Sequence, residues 1–293
     1  MIKAAGEDVS ATQNERRCFV DQPILVGAVL YDPRVSVIWE IIRDFFETNH
    51  CAIDAVFYTN YEIMVRALVQ GHLDIAWNSP LAWLDAERQL RGSCRAIAMR
   101  DTDRDRVSHI ITKTANGLTG IENLRGKTIA VGAKDSPQAT LIPLRWLQRQ
   151  GLEPERDFQV RRFDVLVGKH GDHVGGELQA FQCLDRDEAD ASALLDLNWE
   201  RWTRDGTVDP HDYRILSTTP LFDHCCFTVR ADFPQEREQE FLRVLFTMRY
   251  DDPKHREMMD MEGLKAWVPG RTTGYTLLQE AVEAQHVFDE HPS

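Results

Sequence analysis

The chain reads as an α/β protein of two lobes, and three observations point there. Short β-favouring runs alternate with helical patterns along most of its 293 residues, and two of the strand-to-helix turns share one design. An apolar content of 43% at this length is enough to bury a core in each of two medium lobes. In the first of these turns, a β-favouring run at 128–131 stops at Gly132, crosses a polar turn and reaches Ser136-Pro137 ahead of an apolar helical pattern at 141–147. A serine oxygen at the N-cap accepts an otherwise orphaned amide, and proline at the first helical position lacks the amide that would go unused. The second turn repeats this: a strand at 73–77, Asn78, then Ser79-Pro80 and the apolar start Leu81-Ala82-Trp83-Leu84. The first amides of a helix have no internal partner and its dipole favours negative charge, so each turn has the makings of an oxyanion site.

Taken in order, residues 1–22 are polar and read as a loosely docked arm. The apolar run 24–30, bounded by Pro23 and Asp32-Pro33, has the length of a buried parallel strand. Val37, Ile38, Ile41, Ile42, Phe45 and Phe46 recur at helical spacing and predict a helix over 35–48. A second strand follows at 52–58, and Thr59-Asn60-Tyr61-Glu62 offers a capping pattern for a helix that Gly71 stops. After the 73–77 strand comes another apolar run at 97–99, and the alternating charges of 101–106 read as a solvated loop. Residues 107–114 are extended and leave the first lobe, with the turn 116–120 marking entry to the second. The pattern then predicts a helix over 137–150, a strand over 160–165, a glycine- and histidine-bearing loop over 168–176, a helix over 177–184 and a strand over 189–195. Short strands at 214–217 and 225–229 flank Thr218-Thr219-Pro220 and read as the return to the first lobe, followed by helices near 236–250, 255–261 and 275–284.

Charge and composition narrow the function. A formal charge of -13 argues against a nucleic-acid binder, which needs a basic face, yet it does not bar a small anion held by local amides. The beginning of the sequence lacks a secretory signal, no stretch is long enough to insert in a membrane, and six scattered cysteines suit a reducing compartment. As written, the expected location is cytoplasmic; a signal preceding this sequence would make it periplasmic. Cys225 and Cys226, adjacent on a strand, point to opposite faces and read as core packing. His170 and His173 have no third ligand at metal-binding spacing, and no nucleophile-elbow, zinc-protease or phosphate-loop motif is present, so neither metal nor cofactor is expected.

The twin turns, with residues 124–131, 151–158, Gly171-Asp172-His173 and Ser217-Thr218-Thr219-Pro220, resemble the phosphonate/phosphate-type substrate-binding proteins of ABC transporters, from Ile24 to about Pro269. Those proteins belong to the type II periplasmic-binding-protein superfamily. The resemblance implies two lobes, each a mixed sheet flanked by helices, joined by a two-segment hinge. One lobe would be discontinuous, 23–110 with 228–293, and the other would span 111–227. A small oxyanion-bearing ligand would lie in the interlobe cleft, and an ABC permease or an intracellular regulatory partner would read the closed form. Asn78 and Ser79 on one lobe and Ser136, Gln138 and Thr140 on the other are the expected donors. His173 matches a Gly-x-His element that brings a histidine to the anion. Tyr31 and Tyr61 would face the cleft beside Trp77 and Trp83, and Asp196, with Glu177, would accept from an ammonium or hydroxyl group. Where the family carries a run of hydroxyl residues, this chain has Ser136-Pro137-Gln138, so the ligand class stays open between phosphonate-like and carboxylate. A second function class is a cytoplasmic enzyme on the same fold, similar to chorismate dehydratase or the thiamine-pyrimidine synthases, with His173 and Asp196 moving a proton.

Overall fold

A computed structural model of the chain describes residues 22–170 and 176–289, so the arm expected at 1–22 and His173 lie outside the described residues but for Gln22. The chain lays down β1 (Ile24–Val29), α1 (Arg34–Thr48), β2 (Ile53–Tyr58), α2 (Tyr61–Val69), β3 (Ile75–Asn78), α3 (Pro80–Gln89) and β4 (Cys94–Arg100). It continues with β5 (Ser108–Lys113), β6 (Thr128–Val131), a π-helical turn (Pro137–Leu141), α4 (Ile142–Arg149) and β7 (Gln159–Arg162). Then come α5 (Glu177–Asp185), β8 (Ala191–Leu195), α6 (Asp196–Asp205) and β9 (Tyr213–Thr218). The last described elements are β10 (Cys226–Arg230), α7 (Gln235–Leu245), α8 (Pro253–Glu262), β11 (Trp267–Pro269) and α9 (Thr276–Ala284).

These strands make two mixed sheets flanked by helices, ordered β11-β4-β10-β3-β1-β2 and β7-β6-β8-β5-β9. Each sheet has three parallel strands, β2-β1-β3 and β7-β6-β8, followed by a strand that runs against them. In the first sheet that strand is β10, supplied from far along the chain, and in the second it is β5. The chain therefore crosses between sheets twice, after β4 and after β9. The two crossings are tied together by a reciprocal pair of backbone bonds, Arg106 N–H to Phe222 O (2.7 Å) and Phe222 N–H to Arg106 O (2.8 Å).

The apolar run of β1 is explained by burial on both faces. Val26 and Ala28 join a cluster with Trp39, Phe46, Phe227 and Phe241 from α1, β10 and α7, while Val29 faces Tyr61, Met64 and Leu68 of α2. Phe46 is fully buried and stacks on Phe241 with ring centroids 4.9 Å apart. Trp77 packs on Phe227 and Trp267, so it is a core residue. Cys225 and Cys226 fall in different core clusters, as opposite faces of a strand require.

Three expectations need correction. The strand at 214–217 is not part of the return: as β9 it pairs with β5 in the second sheet, and the turn after it carries the chain back. The strand ending at Asp196 runs directly into α6, a helix whose charged face hid its two buried residues, Asn198 and Trp202. The charged run 101–106 is not simply solvated, because Asp103 is 1% exposed and held by Arg100.

Gly176, which precedes α5, sits at φ +72, and a Cβ there would lie 2.1 Å from the Phe163 carbonyl oxygen. Gly176→Ala is expected to cost about 2 kcal/mol or more, from the left-handed backbone together with the clash, read as a lowered urea midpoint. An unchanged midpoint would show that this close approach is not a constraint.

Candidate functional site

The two serine turns fold as their local chemistry dictates. Ser79 takes an extended conformation before Pro80, and its Oγ accepts the Ala82 N–H (3.1 Å) at the start of α3. Ser136 does the same before Pro137, its Oγ accepting from Ala139 N–H (3.2 Å). Both serines are fully buried. The second turn is wider than an α-helix, and Pro143 supplies the reason. Having no N–H, it cannot bond the Ala139 carbonyl, which accepts from Gly132 N–H (3.2 Å) instead. The Ile142 N–H reaches back to Pro137 O, and the Gln138 carbonyl, freed from the helix, takes the Ser108 hydroxyl of β5 at 2.5 Å. Such π-turns recur at functional sites.

A loop after β7 links the two turns. Gly168, at φ +83, donates its N–H to Asp135 Oδ2 (2.6 Å) and its carbonyl accepts from Tyr61 N–H (3.0 Å). The Lys169 ammonium donates to the Leu30 carbonyl at the end of β1. His170 Nδ1 lies 2.6 Å from Ser79 Oγ, and its ring stacks on Tyr61 with centroids 4.7 Å apart and an interplanar angle of 16°. Asp135 and Ser136 of the second sheet are thereby fastened to the starts of α2 and α3 on the first. Among the described residues, the histidine that meets Ser79 is His170, from the adjoining Gly168-Lys169-His170. The same glycine-x-histidine spacing stands three residues upstream of Gly171-Asp172-His173, which lies outside the described residues.

The other expected residues divide. Asn78 is fully buried; its amide donates to Thr228 Oγ1 (2.9 Å), leaving its carbonyl oxygen without a hydrogen-bond partner. Thr140, 1% exposed, has a hydroxyl without a partner, and Gln138 is fully buried in the same π-turn. Polar atoms left unsatisfied in a protein interior cost about 1–3 kcal/mol each. Tyr31 is half-buried against the first core. Asp196 opens α6, with its carboxylate 3.4 Å from the Arg106 guanidinium on a crossing segment, and burial raises its pKa.

Glu177, at the start of α5, is 1% exposed and accepts the Leu195 N–H at 2.6 Å. Burial pushes its carboxyl up to about 7, against the opposing pull of the Asn198 amide, the Leu195 N–H and His224. Where the two crossing segments meet, Asp103 of the first and His224 and Cys225 of the second bring their ligand atoms within 4.8 Å of one another. The donor set does not suit a metal. Asp103 accepts from Arg100 Nε (2.7 Å), Nη2 (2.8 Å) and backbone N–H (3.1 Å) and from Cys225 N–H (3.2 Å), which fills its lone pairs, and a guanidinium already stands where a cation would be repelled. Arg100 and Asp103 form an ion pair at the first crossing, and the His224 and Cys225 N–H groups bond Asp103 from the second. Beside the serine turns runs a groove of about 1310 Å³ whose walls include Tyr61, Asp135, Thr140, Gln148 and His170.

Two mixed sheets, each with three neighbouring parallel strands followed by an antiparallel one, and serine-capped helix starts linked by the Gly168-to-His170 loop, define the class of two-lobed solute-binding proteins. The model of the phosphonate ABC transporter periplasmic substrate-binding protein family matches residues 37–275, and the chain belongs to that family. Solved structures agree in fold. PhnD1 from Prochlorococcus marinus (MIT 9301), in complex with methylphosphonate, is similar with a TM-score of 0.68 and 18% identity over 90% of this chain and 98% of that one. A Xanthomonas citri protein bound to ATP matches with a TM-score of 0.68 and 18% identity, covering 92% and 99%. The periplasmic aliphatic sulphonate binding protein of Escherichia coli matches with a TM-score of 0.59 and 14% identity over 92% of each chain. A 31-residue stretch is 55% identical to an uncharacterised Haemophilus influenzae protein; it is 11% of this chain and spans 44% of that relative. The family is one of small-ligand binding, and no helix among the described residues is long and apolar enough to cross a membrane.

Proposed function

We propose that the chain binds a small oxyanion between the helix starts at Ser79 and Ser136, and that its two lobes close on the ligand about the segments 101–107 and 219–225. The observation that carries this is the Gly168-to-His170 loop, which bonds Asp135 beside one serine and contacts the other serine directly. When His170 Nδ1–H donates to Ser79 Oγ, the serine proton is left to donate to the anion, because Oγ already accepts from Ala82. The methylphosphonate held by PhnD1 supports a phosphonate-like head, while the Ser136-Pro137-Gln138 departure keeps carboxylates in the test. A transporter permease is the partner that the family suggests, in a periplasmic setting. Titration calorimetry with methylphosphonate, inorganic phosphate and small carboxylates is expected to show one class binding. Hydrogen bonds to charged groups contribute about 1.5–3 kcal/mol, so Ser136→Ala and Ser79→Ala should each weaken that binding about ten- to a hundredfold. Binding of none of these anions by the folded chain would sink the proposal.

An enzyme on this fold is the second reading, favoured by one observation: a buried carboxyl, Glu177 at the start of α5, pushed up to about 7 by burial. Mass spectrometry of metabolite mixtures incubated with the chain separates the two, since an enzyme converts a component and a binding protein returns it unchanged.

A further inference from the structure

We propose that α9 and the turn that follows it, residues 285–288, form a clasp that holds the two lobes in the arrangement of this structure without a ligand, and that the strength of the clasp scales the affinity for every ligand alike. This rests on the lobe closure proposed above and adds how that closure is regulated.

By chain order α9 belongs with the first sheet, since it follows β11, which pairs with β4. Its packing crosses to the other lobe. The helix lies against α3, which follows a strand of the first sheet, and equally against the π-turn and α4, which follow a strand of the second. One buried cluster joins Leu278 and Ala281 of α9 to Leu81 and Trp83 of α3 and to Leu141 and Ile142 beyond the second serine. Drawing the lobes apart at this face would carry those apolar side chains into water, which opposes the motion whether or not a ligand is present.

Polar contacts fasten the same face. The Gln285 side-chain amide donates to the Leu141 carbonyl in the π-turn at 2.9 Å, and Glu280 of α9 lies 3.3 Å from Arg149 at the end of α4. The ion pair is exposed and adds little, so Gln285 is the specific tie. The chain then turns back, with Val287 N–H bonding the Val282 carbonyl (3.1 Å), and Val287 and Phe288 pack on the shared cluster. The Phe288 ring centroid stands 5.0 Å from the Arg88 guanidinium of α3. Gln285 therefore grips the second lobe while Phe288 grips the first. Neither is a proposed ligand donor, in contrast to the Gly168-to-His170 loop, which reaches Ser79 itself. A contact of this kind changes only the fraction of molecules in the binding-competent arrangement, and the apparent dissociation constant is the intrinsic one divided by that fraction, whatever the ligand.

The test uses the full chain and the variants Gln285→Ala, Phe288→Ala and the two combined, with folding checked by circular dichroism. In small-angle X-ray scattering the ligand-free wild type is expected to keep the radius of gyration it has with methylphosphonate, while the ligand-free double variant is expected to be larger. Calorimetry should show methylphosphonate and ethylphosphonate each bound about three- to tenfold more weakly by the double variant, by the same factor for both. The single variants, expected to lie between, decide the matter if the double one does not fold. A ligand-free wild type as expanded as the variant, unchanged affinities, or losses that differ between the two phosphonates overturn the clasp and leave anion binding standing. Failure of both phosphonates, inorganic phosphate and acetate to bind the wild type sinks the anion reading, and the ligand-free scattering then decides the clasp without it.

Discussion

Asp103→Asn is expected to lower the stability of the folded chain by about 3–5 kcal/mol at pH 7, because it leaves a buried guanidinium short of its principal counter-charge. Arg100 is 5% exposed and Asp103 1%, and they meet through two parallel bonds of 2.7 and 2.8 Å. Glu262, 3.0 Å from Arg100 Nη1, would remain as a partial partner. The Arg100 charge and its hydrogen bonds hold the Asp103 carboxyl well below the usual carboxylate range, despite burial that pushes the other way. A carboxyl depressed in the folded state stabilises it above its unfolded pKa and loses that contribution as pH falls through the folded value. The gap between wild type and variant should therefore be full at neutral pH and narrow as the solution is acidified below about pH 4. Urea unfolding at pH 7 and pH 3 measures it. A single-variant loss under about 1 kcal/mol would show that Glu262 and solvent replace Asp103 and that the pair does not fasten the crossing.

Glu177→Gln has the opposite sign. Burial raises the Glu177 carboxyl to about 7 in the folded chain, above its ordinary value, so the folded state prefers the neutral acid. The sign follows directly: folding costs nothing extra below about pH 4, and the penalty grows between there and pH 7 as the unfolded chain ionises while the folded one resists. Above pH 7 the cost levels off at roughly 3 kcal/mol, taking about 1.4 kcal/mol for each tenfold change in proton affinity. Glutamine keeps an oxygen for the Leu195 N–H and never ionises. The variant should therefore match wild type at pH 4.5 and be more stable by roughly 2–3 kcal/mol at pH 8, read from urea midpoints. Equal stability at pH 8 would mean that Glu177 is ionised at little cost, through water or a ligand. The same experiment bears on the enzyme reading, because a carboxyl that stays neutral up to pH 7 is available as a proton donor.

Much of the fold was legible because its signals are local. The capping of α3 and α4's π-turn needs only a serine, a proline and the amides that follow, all within a few residues of each other, so Ser79 and Ser136 were readable in advance. The continuous apolar run of β1 announced a strand buried on both faces. Helix α6 was not legible, because its fully buried residues are one tryptophan and one asparagine among charges. The contact of His170 with Ser79 and its stack on Tyr61 were likewise hidden, since the spacing of Gly168-Lys169-His170 does not by itself bring a ring to a serine. The run at 101–106 looked solvated because alternating charge is usually so, and nothing in it reveals that Arg100 and Glu262 arrive to bury Asp103.

The amino-acid sequence alone determined the α/β rhythm, the paired serine caps and the family, because backbone propensity, helix capping and apolar period act over a handful of neighbouring residues. Tertiary structure decided that His170 reaches Ser79, which carboxyl is held below its ordinary range and which is raised above it, and where a groove opens beside the serine turns. Those outcomes depend on burial and on partners from distant parts of the chain, and desolvation and charge pairing are properties of the assembled surroundings, not of a residue and its neighbours in sequence.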